Sequence, residues 1–340
     1  MSAKPIRVLI ADDSQTARAA LAAMLTEHGV QVVGEAADGH EAVALCKALR
    51  PDVVTMDVRM PGLDGLQATE AIMADAPARV LLVCGVTEAE QLDLSFRAVA
   101  AGALELVPKP LASEAGLRAW GAKVAEAVRL MVEVPVVRRV RGLTPLQGSP
   151  RVPEARPARG SLKAIGIAAS TGGPPVLARI LSALPANLPV PVLLAQHIAP
   201  GFTEGLRRWL SAASPLPVKL ARHGQPAEAG VWLPPDHCDL EWEAGRLRTP
   251  FSDGPYAPSG DRLLTSLAVL GGQALGFVLT GMGDDGARGL LALRKSGGRT
   301  FAQDSSTSAV FGMPHAAHTL GAAQDLVALD RIAPLILELA

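Results

Sequence analysis

The chain has 340 residues, enough for two domains that each bury a core, and 32 Lys+Arg against 33 Asp+Glu leave a net charge of -1. That balance gives no electrostatic basis for nucleic-acid binding. Cys46, Cys84 and Cys238 are far apart, which excludes a disulfide framework and a Cys-x-x-Cys zinc site and fits a reducing compartment. No apolar run is long enough to span a membrane and the amino terminus lacks a signal peptide's apolar core, so a cytoplasmic chain without membrane insertion is expected.

The first 130 residues alternate strand and helix signals. Strands are predicted at residues 6–11, 30–35, 53–56, 80–84 and 103–107, and five such runs separated by amphipathic stretches predict a flavodoxin-like five-stranded parallel domain. Acidic residues fall at strand carboxyl ends: Asp12 and Asp13 after the first strand, Asp57 after the third. Ligands bind at that edge of such sheets. Clustered carboxylates call for a cation between them, and hard oxygen donors without a nearby histidine suit magnesium. Lys109, after the fifth strand, adds a positive charge, so the set is equipped to accept and hold a phosphoryl group with Asp57 as nucleophile. N-capping of the helix that starts near Ser14 is the competing reading for Asp12-Asp13 alone.

From Pro135 to Gly160 the chain carries five prolines, three glycines and six arginines, with Glu154 its only acid. Such a stretch is a semi-extended, solvated linker. The predicted organisation is therefore a first domain over 1–134, a linker over 135–160 and a second domain over 161–340.

Strand and helix signals resume at Lys163. The run 163–167 leads into Ala168-Ala169-Ser170-Thr171-Gly172-Gly173-Pro174-Pro175, which places a serine where a strand turns sharply into a helix. A plain N-cap or a phosphate-binding turn is the alternative for this segment alone. Apolar runs at 190–195 and 274–279 read as buried strands of a doubly wound, mostly parallel α/β sheet. Gln196-His197 follows the first, and Thr280-Gly281-Met282-Gly283-Asp284-Asp285-Gly286 the second. Ser170, His197 and Asp285 thus lie at three strand ends, where they could converge as nucleophile, base and orienting acid. Met282 offers a backbone N–H to a developing oxyanion. His237-Cys238-Asp239 invites a metal reading, but consecutive residues do not readily face one ion, and a turn accounts for them better. Gly166 begins no complete Gly-x-Gly-x-x-Gly pattern, so no nucleotide cofactor is expected in this domain.

Residues 1–130, through Ile10-Ala11-Asp12-Asp13-Ser14, the segment Met56-Asp57-Val58-Arg59-Met60-Pro61-Gly62-Leu63-Asp64-Gly65, and Pro108-Lys109-Pro110, resemble the receiver domain of bacterial response regulators. The resemblance implies phosphorylation of Asp57 by a histidine kinase, Mg2+ held by Asp12, Asp13, Asp57 and the Arg59 carbonyl, Lys109 at the phosphoryl group, and a cis bond before Pro110. Two positions depart from the pattern. Cys84 stands where the family usually has a Ser or Thr to bind the phosphoryl oxygen, and a thiol is a weaker donor. Leu106 replaces the aromatic residue common on the fifth strand.

The second domain, through residues 165–174, Gln196-His197-Ile198-Ala199-Pro200-Gly201-Phe202-Thr203, residues 279–287 and Val310-Phe311-Gly312-Met313-Pro314, resembles the catalytic domain of the chemotaxis protein-glutamate methylesterases. The resemblance implies Ser170 as nucleophile, His197 as base and Asp285 as orienting acid, with Met282 and Thr171 at the oxyanion. It also implies a methylated chemoreceptor cytoplasmic domain as substrate, glutamine deamidation as a second activity, and a receiver that masks the serine site until Asp57 is phosphorylated. In the groove, Tyr256-Ala257-Pro258-Ser259-Gly260-Asp261 lacks the basic pair of the family's His-Arg-Pro-Ser-Val-Asp pattern. A phosphorylation-dependent docking module is the rival reading, motivated by Cys84, Leu106 and this groove. Three chemically matched groups at separate strand ends argue against it.

Overall fold

The computed structural model describes residues 5–84, 103, 105–109, 114–132, 162–254 and 256–340. These residues fall into two compact units, divided between Leu146 and Gln147. The Pro/Arg-rich stretch and the bond before Pro110 lie outside the described residues.

The first unit is a five-stranded parallel sheet in the order β2-β1-β3-β4-β5, as its alternating pattern predicts. The strands are β1 (Arg7–Ala11), β2 (Gln31–Ala36), β3 (Val53–Met56), β4 (Arg79–Cys84) and β5 (Glu105–Pro108). The fifth strand begins two residues later than predicted, at Glu105. Val8, Leu9, Ile10, Val53, Val54, Leu81 and Leu82 are fully buried, because β1, β3 and β4 sit inside the sheet and their side chains meet apolar neighbours on both faces. Register then places the acids: Ala11 pairs with Met56, so Asp12 and Asp57 leave adjacent strands at the same level. Cys84 pairs with Pro108, which brings Lys109 to that edge.

The second unit carries seven parallel strands in the order β14-β13-β12-β6-β7-β9-β8, with a separate antiparallel hairpin of β10 and β11. They are β6 (Ala164–Ala169), β7 (Pro191–Gln196), β8 (Val218–Leu220), β9 (Gly230–Leu233), β10 (Glu241–Glu243), β11 (Arg246–Arg248), β12 (Ala274–Val278), β13 (Arg299–Gln303) and β14 (Asp325–Val327). The central strands β6, β7 and β12 are buried at every position, which explains their continuous apolar runs. Ala169 pairs with Gln196 and Ala168 with Val278. Ser170 and His197 are therefore the first residues past two neighbouring strands, with Thr280 level with them on the third. Among the described residues, no helix is long and apolar enough to cross a membrane.

Candidate active site and phosphorylation site

In the first unit, Asp12, Asp13 and Asp57 bring carboxylate oxygens within 4.8 Å of one another. Lys109 Nζ lies 2.7 Å from Asp12 Oδ2 and 2.7 Å from Asp57 Oδ2. Burial pushes the Asp57 carboxyl above the usual carboxylate range and the Asp12 charge adds to it, against the opposing pull of Lys109. Burial also works against the Lys109 ammonium, but the charges and hydrogen bonds of Asp57 and Asp12 outweigh it and hold the amine above its ordinary value. Three hard oxygen donors, one of them the buried, repelled Asp57 carboxylate, fit a divalent cation. Ser14 is the cap of the helix Gln15–Glu27, while Asp12 Oδ1 accepts the Ser14 N–H at 2.9 Å. Ser14 rather than Asp12 or Asp13 thus caps the helix, and one Asp12 oxygen is taken by the Ser14 N–H. Gly65 shows how closely the following helix approaches Asp57: a Cβ there would lie 2.1 Å from the Asp57 carbonyl oxygen. Arg59 follows two residues beyond Asp57, Leu106 is half-buried on β5, and the Cys84 side chain lies outside the described residues.

In the second unit Ser170 sits between β6 and the helix Gly173–Ser182, whose prolines occupy its first turn. The turn needs glycine at 172, where φ is 75° and a Cβ would meet Ala309 Cβ at 2.6 Å. The Ser170 N–H donates to the Thr280 carbonyl at 3.0 Å and the Ser170 carbonyl accepts from Gly173 N–H at 2.8 Å. Behind the serine, Gly281 packs so closely that a Cβ would lie 2.6 Å from Ser170 Cβ and 2.3 Å from Met313 Sδ. Ser170 is partly exposed, and its hydroxyl has no hydrogen-bond partner among the described residues.

His197 leaves β7 with its N–H on the Ala169 carbonyl at 2.9 Å, and its Nε2 lies 2.7 Å from Asp285 Oδ2. Asp285 is 2% exposed. It accepts the Gly260 N–H at 2.6 Å, the Asp261 N–H at 2.9 Å and the Ser259 hydroxyl at 3.1 Å. Burial alone would raise its pKa. The hydrogen bond and charge of His197, with the N–H donors of Asp261 and Gly260, overcome that and hold the carboxyl below the usual range. Asp285 is thus an ionised acceptor with no proton to give, so in the neutral imidazole the hydrogen sits on Nε2 and the lone pair on Nδ1. Asp284 points the other way: its side chain is 58% exposed, with Oδ2 3.6 Å from Arg288. Of the two adjacent aspartates, the second meets the histidine.

Met282 is half-buried and its N–H has no hydrogen-bond partner among the described residues. Thr171 is buried, and its carbonyl accepts from the Thr280 hydroxyl at 2.9 Å. Beyond these, the structure adds residues the sequence reading did not assign. Gln196 Nε2 donates to the carbonyls of both Ser170 and His197 at 2.9 Å, tying together the backbones of the two groups. Tyr256 stacks on His197 with ring centroids 5.1 Å apart and planes 9° from parallel. Ser259, the cap of the helix Gly260–Ser266, supplies part of the cradle under Asp285. The capping pattern was visible in the sequence; its target was not. Residues 235–238 form a turn, with the Cys238 N–H on the Pro235 carbonyl at 3.2 Å and His237 at φ 60°, and Asp239 is buried, accepting the Ser259 N–H at 2.7 Å.

A model of the response regulator receiver domain matches residues 8–119, and one of the CheB methylesterase matches residues 165–336. The protein-glutamate methylesterase/protein-glutamine glutaminase 3 of Myxococcus xanthus is 50% identical over 98% of this chain and 94% of its own length. A namesake from Anaeromyxobacter dehalogenans is 43% identical over 96% of this chain and 97% of its own. The crystal structure of the Thermotoga maritima CheB methylesterase catalytic domain covers 53% of this chain and 99% of its own, with 33% identity and a TM-score of 0.50. The chain belongs to the CheB methylesterase family, with a response regulator receiver domain preceding the methylesterase domain.

Proposed function

We propose that this protein is a phosphorylation-regulated serine hydrolase that demethylates glutamate methyl esters on chemoreceptor cytoplasmic helices and deamidates glutamines there. The observation that carries the reading is the His197–Asp285 contact: it leaves Nδ1 as the open nitrogen of an imidazole held one strand away from Ser170. Nδ1 takes the Ser170 proton as Oγ attacks the ester carbonyl. The oxyanion that forms is met by the Met282 N–H, with Thr171 alongside. His197 then returns the proton to the departing methoxide, releasing methanol, and deprotonates the water that hydrolyses the acyl-serine. Deamidation follows the same steps with ammonia leaving. Asp285 stays ionised throughout, fixing the tautomer and balancing the imidazolium.

Asp57 receives the phosphoryl group from a histidine kinase, and Lys109, 2.7 Å from Asp57 Oδ2, pairs with a phosphoryl oxygen once one is present. Asp12, Asp13 and Asp57, with the Arg59 carbonyl, would hold magnesium. Held there, magnesium would supply charge neutralisation for the phosphoryl group. Cys84 takes the phosphoryl-binding position with a weaker donor than a hydroxyl. The first domain spans 1–134, the linker 135–160 and the catalytic domain 161–340. The protein acts in the cytoplasm. The test is the initial rate of methanol release from methylated receptor membranes with and without a small phosphodonor, for the intact protein, Asp57→Asn and residues 135–340 alone. Phosphodonor should accelerate the intact protein and not Asp57→Asn, and the truncated protein should exceed the unphosphorylated whole. A truncated protein no faster than the whole would refute masking by the receiver.

A further inference from the structure

We infer that Tyr256 is a positioning residue for His197, acting through its ring face rather than its hydroxyl. The inference rests on the reading of His197 as base. A single hydrogen bond from Nε2 to Asp285 holds one ring nitrogen in place but leaves the imidazole free to rock about that contact. Rocking would swing Nδ1 through an arc at the nucleophile. The Tyr256 ring lies against the imidazole at 5.1 Å and 9° from parallel, which fixes the plane that the Asp285 bond leaves loose.

The tyrosine is itself secured at its far end. Its phenol oxygen lies 3.4 Å from Asp284 Oδ1, and a Cβ at Gly283 would come within 3.0 Å of it. Burial, then the nearby Asp284 and Asp285 charges, push the phenol above its ordinary value, so it remains a donor to Asp284. The loop that presents Asp285 to the edge of the imidazole therefore also anchors, through Asp284, the ring that covers its face. A second effect has the same sign: the electron-rich face of a phenol attracts the positive charge that develops on His197 when it accepts a proton. Both effects act on turnover more than on substrate binding. Tyr256 is the only tyrosine in the chain.

The experiment measures kcat and KM for methanol release from methylated receptor membranes by full-length Tyr256→Leu, Tyr256→Phe, Asp284→Asn and His197→Ala. Since a misplacement of about 1 Å costs roughly a hundredfold in rate, Tyr256→Leu should lose roughly ten- to a hundredfold in kcat with KM changed less than about twofold. Tyr256→Phe keeps the ring and should stay within about threefold of the parent. So should Asp284→Asn, which removes only the charge on the distal anchor. The His197 ring protons give a readout independent of turnover: the stacked ring shifts them upfield in the parent and in Tyr256→Phe, and the shift vanishes in Tyr256→Leu. A parental kcat in Tyr256→Leu, a loss confined to KM, or a Phe variant as damaged as the Leu variant overturns the proposal. If Tyr256→Leu does not fold, a Phe variant slowed more than tenfold overturns it. An active His197→Ala would instead overturn the reading of the base itself.

Discussion

Replacing Asp285 by asparagine tests the core of the site, because the four hydrogen bonds it accepts divide between two oxygens. Oδ2 takes the Gly260 N–H at 2.6 Å and lies 2.7 Å from His197 Nε2, while Oδ1 takes the Asp261 N–H at 2.9 Å and the Ser259 hydroxyl at 3.1 Å. An amide has one oxygen, so its NH2 must face either the Gly260 or the Asp261 N–H in a position only 2% exposed. Each backbone donor left unpaired costs about 1–3 kcal/mol. If the NH2 turns toward His197, Nε2 must become the acceptor and the proton moves to Nδ1, which removes the base. Loss of the correct tautomer in a triad costs about 10⁴ in turnover, or about 5 kcal/mol of barrier. Asp284→Asn gives up the charge in a solvent-exposed contact to Arg288 at 3.6 Å and keeps an acceptor for the Tyr256 hydroxyl, a loss of less than about 0.5 kcal/mol. Initial rates of methanol release from saturating methylated receptor membranes, with unfolding midpoints measured in parallel, should therefore separate the two variants by at least about a thousandfold. Equal losses, or a larger loss in Asp284→Asn, would refute the assignment of the loop's register.

Gly281→Ala should cost roughly a hundredfold in kcat, because its Cβ would lie 2.6 Å from Ser170 Cβ and displace the nucleophile by about 1 Å; Gly224→Ala, at φ 78° in open space, should leave kcat unchanged. Asp285 is held below its ordinary pKa, so it contributes stability that is present above about pH 4 and lost as pH falls through its folded value. The stability gap between parent and Asp285→Asn, read from urea midpoints, should accordingly narrow at acid pH. Magnesium at about 100 times its dissociation constant should stabilise the receiver by about 2.7 kcal/mol. Because Asp57 is raised, protons compete for it, and the magnesium-induced shift in melting temperature should be smaller at pH 5 than at pH 7.5.

The central strands were legible in the sequence because both faces are buried, and the resulting apolar runs leave their chemical groups conspicuous at the ends. Ser170, His197, Asp12 and Asp57 all stand one residue past the ends of such strands. The short strands β8, β10, β11 and β14, each of three residues, carry too little pattern to be read. Gln196 was legible as a neighbour of His197 and not as a brace, since its two acceptors lie on segments brought together only by the pairing of Ala169 with Gln196. Tyr256 and the Gly260 and Asp261 N–H groups escaped for a related reason. They act on His197 and Asp285 across 59 positions for the ring pair and 24 to 25 for the N–H donors, and no local spacing records such contacts.

The account stands most directly on Ser170. Initial methanol release from methylated receptor membranes should fall by at least about a thousandfold in full-length Ser170→Ala, since removing a triad nucleophile leaves only binding and oxyanion stabilisation. Its unfolding midpoint and its retention on those membranes should match the parent. Methanol release by Ser170→Ala at a rate near the parent's would contradict the account.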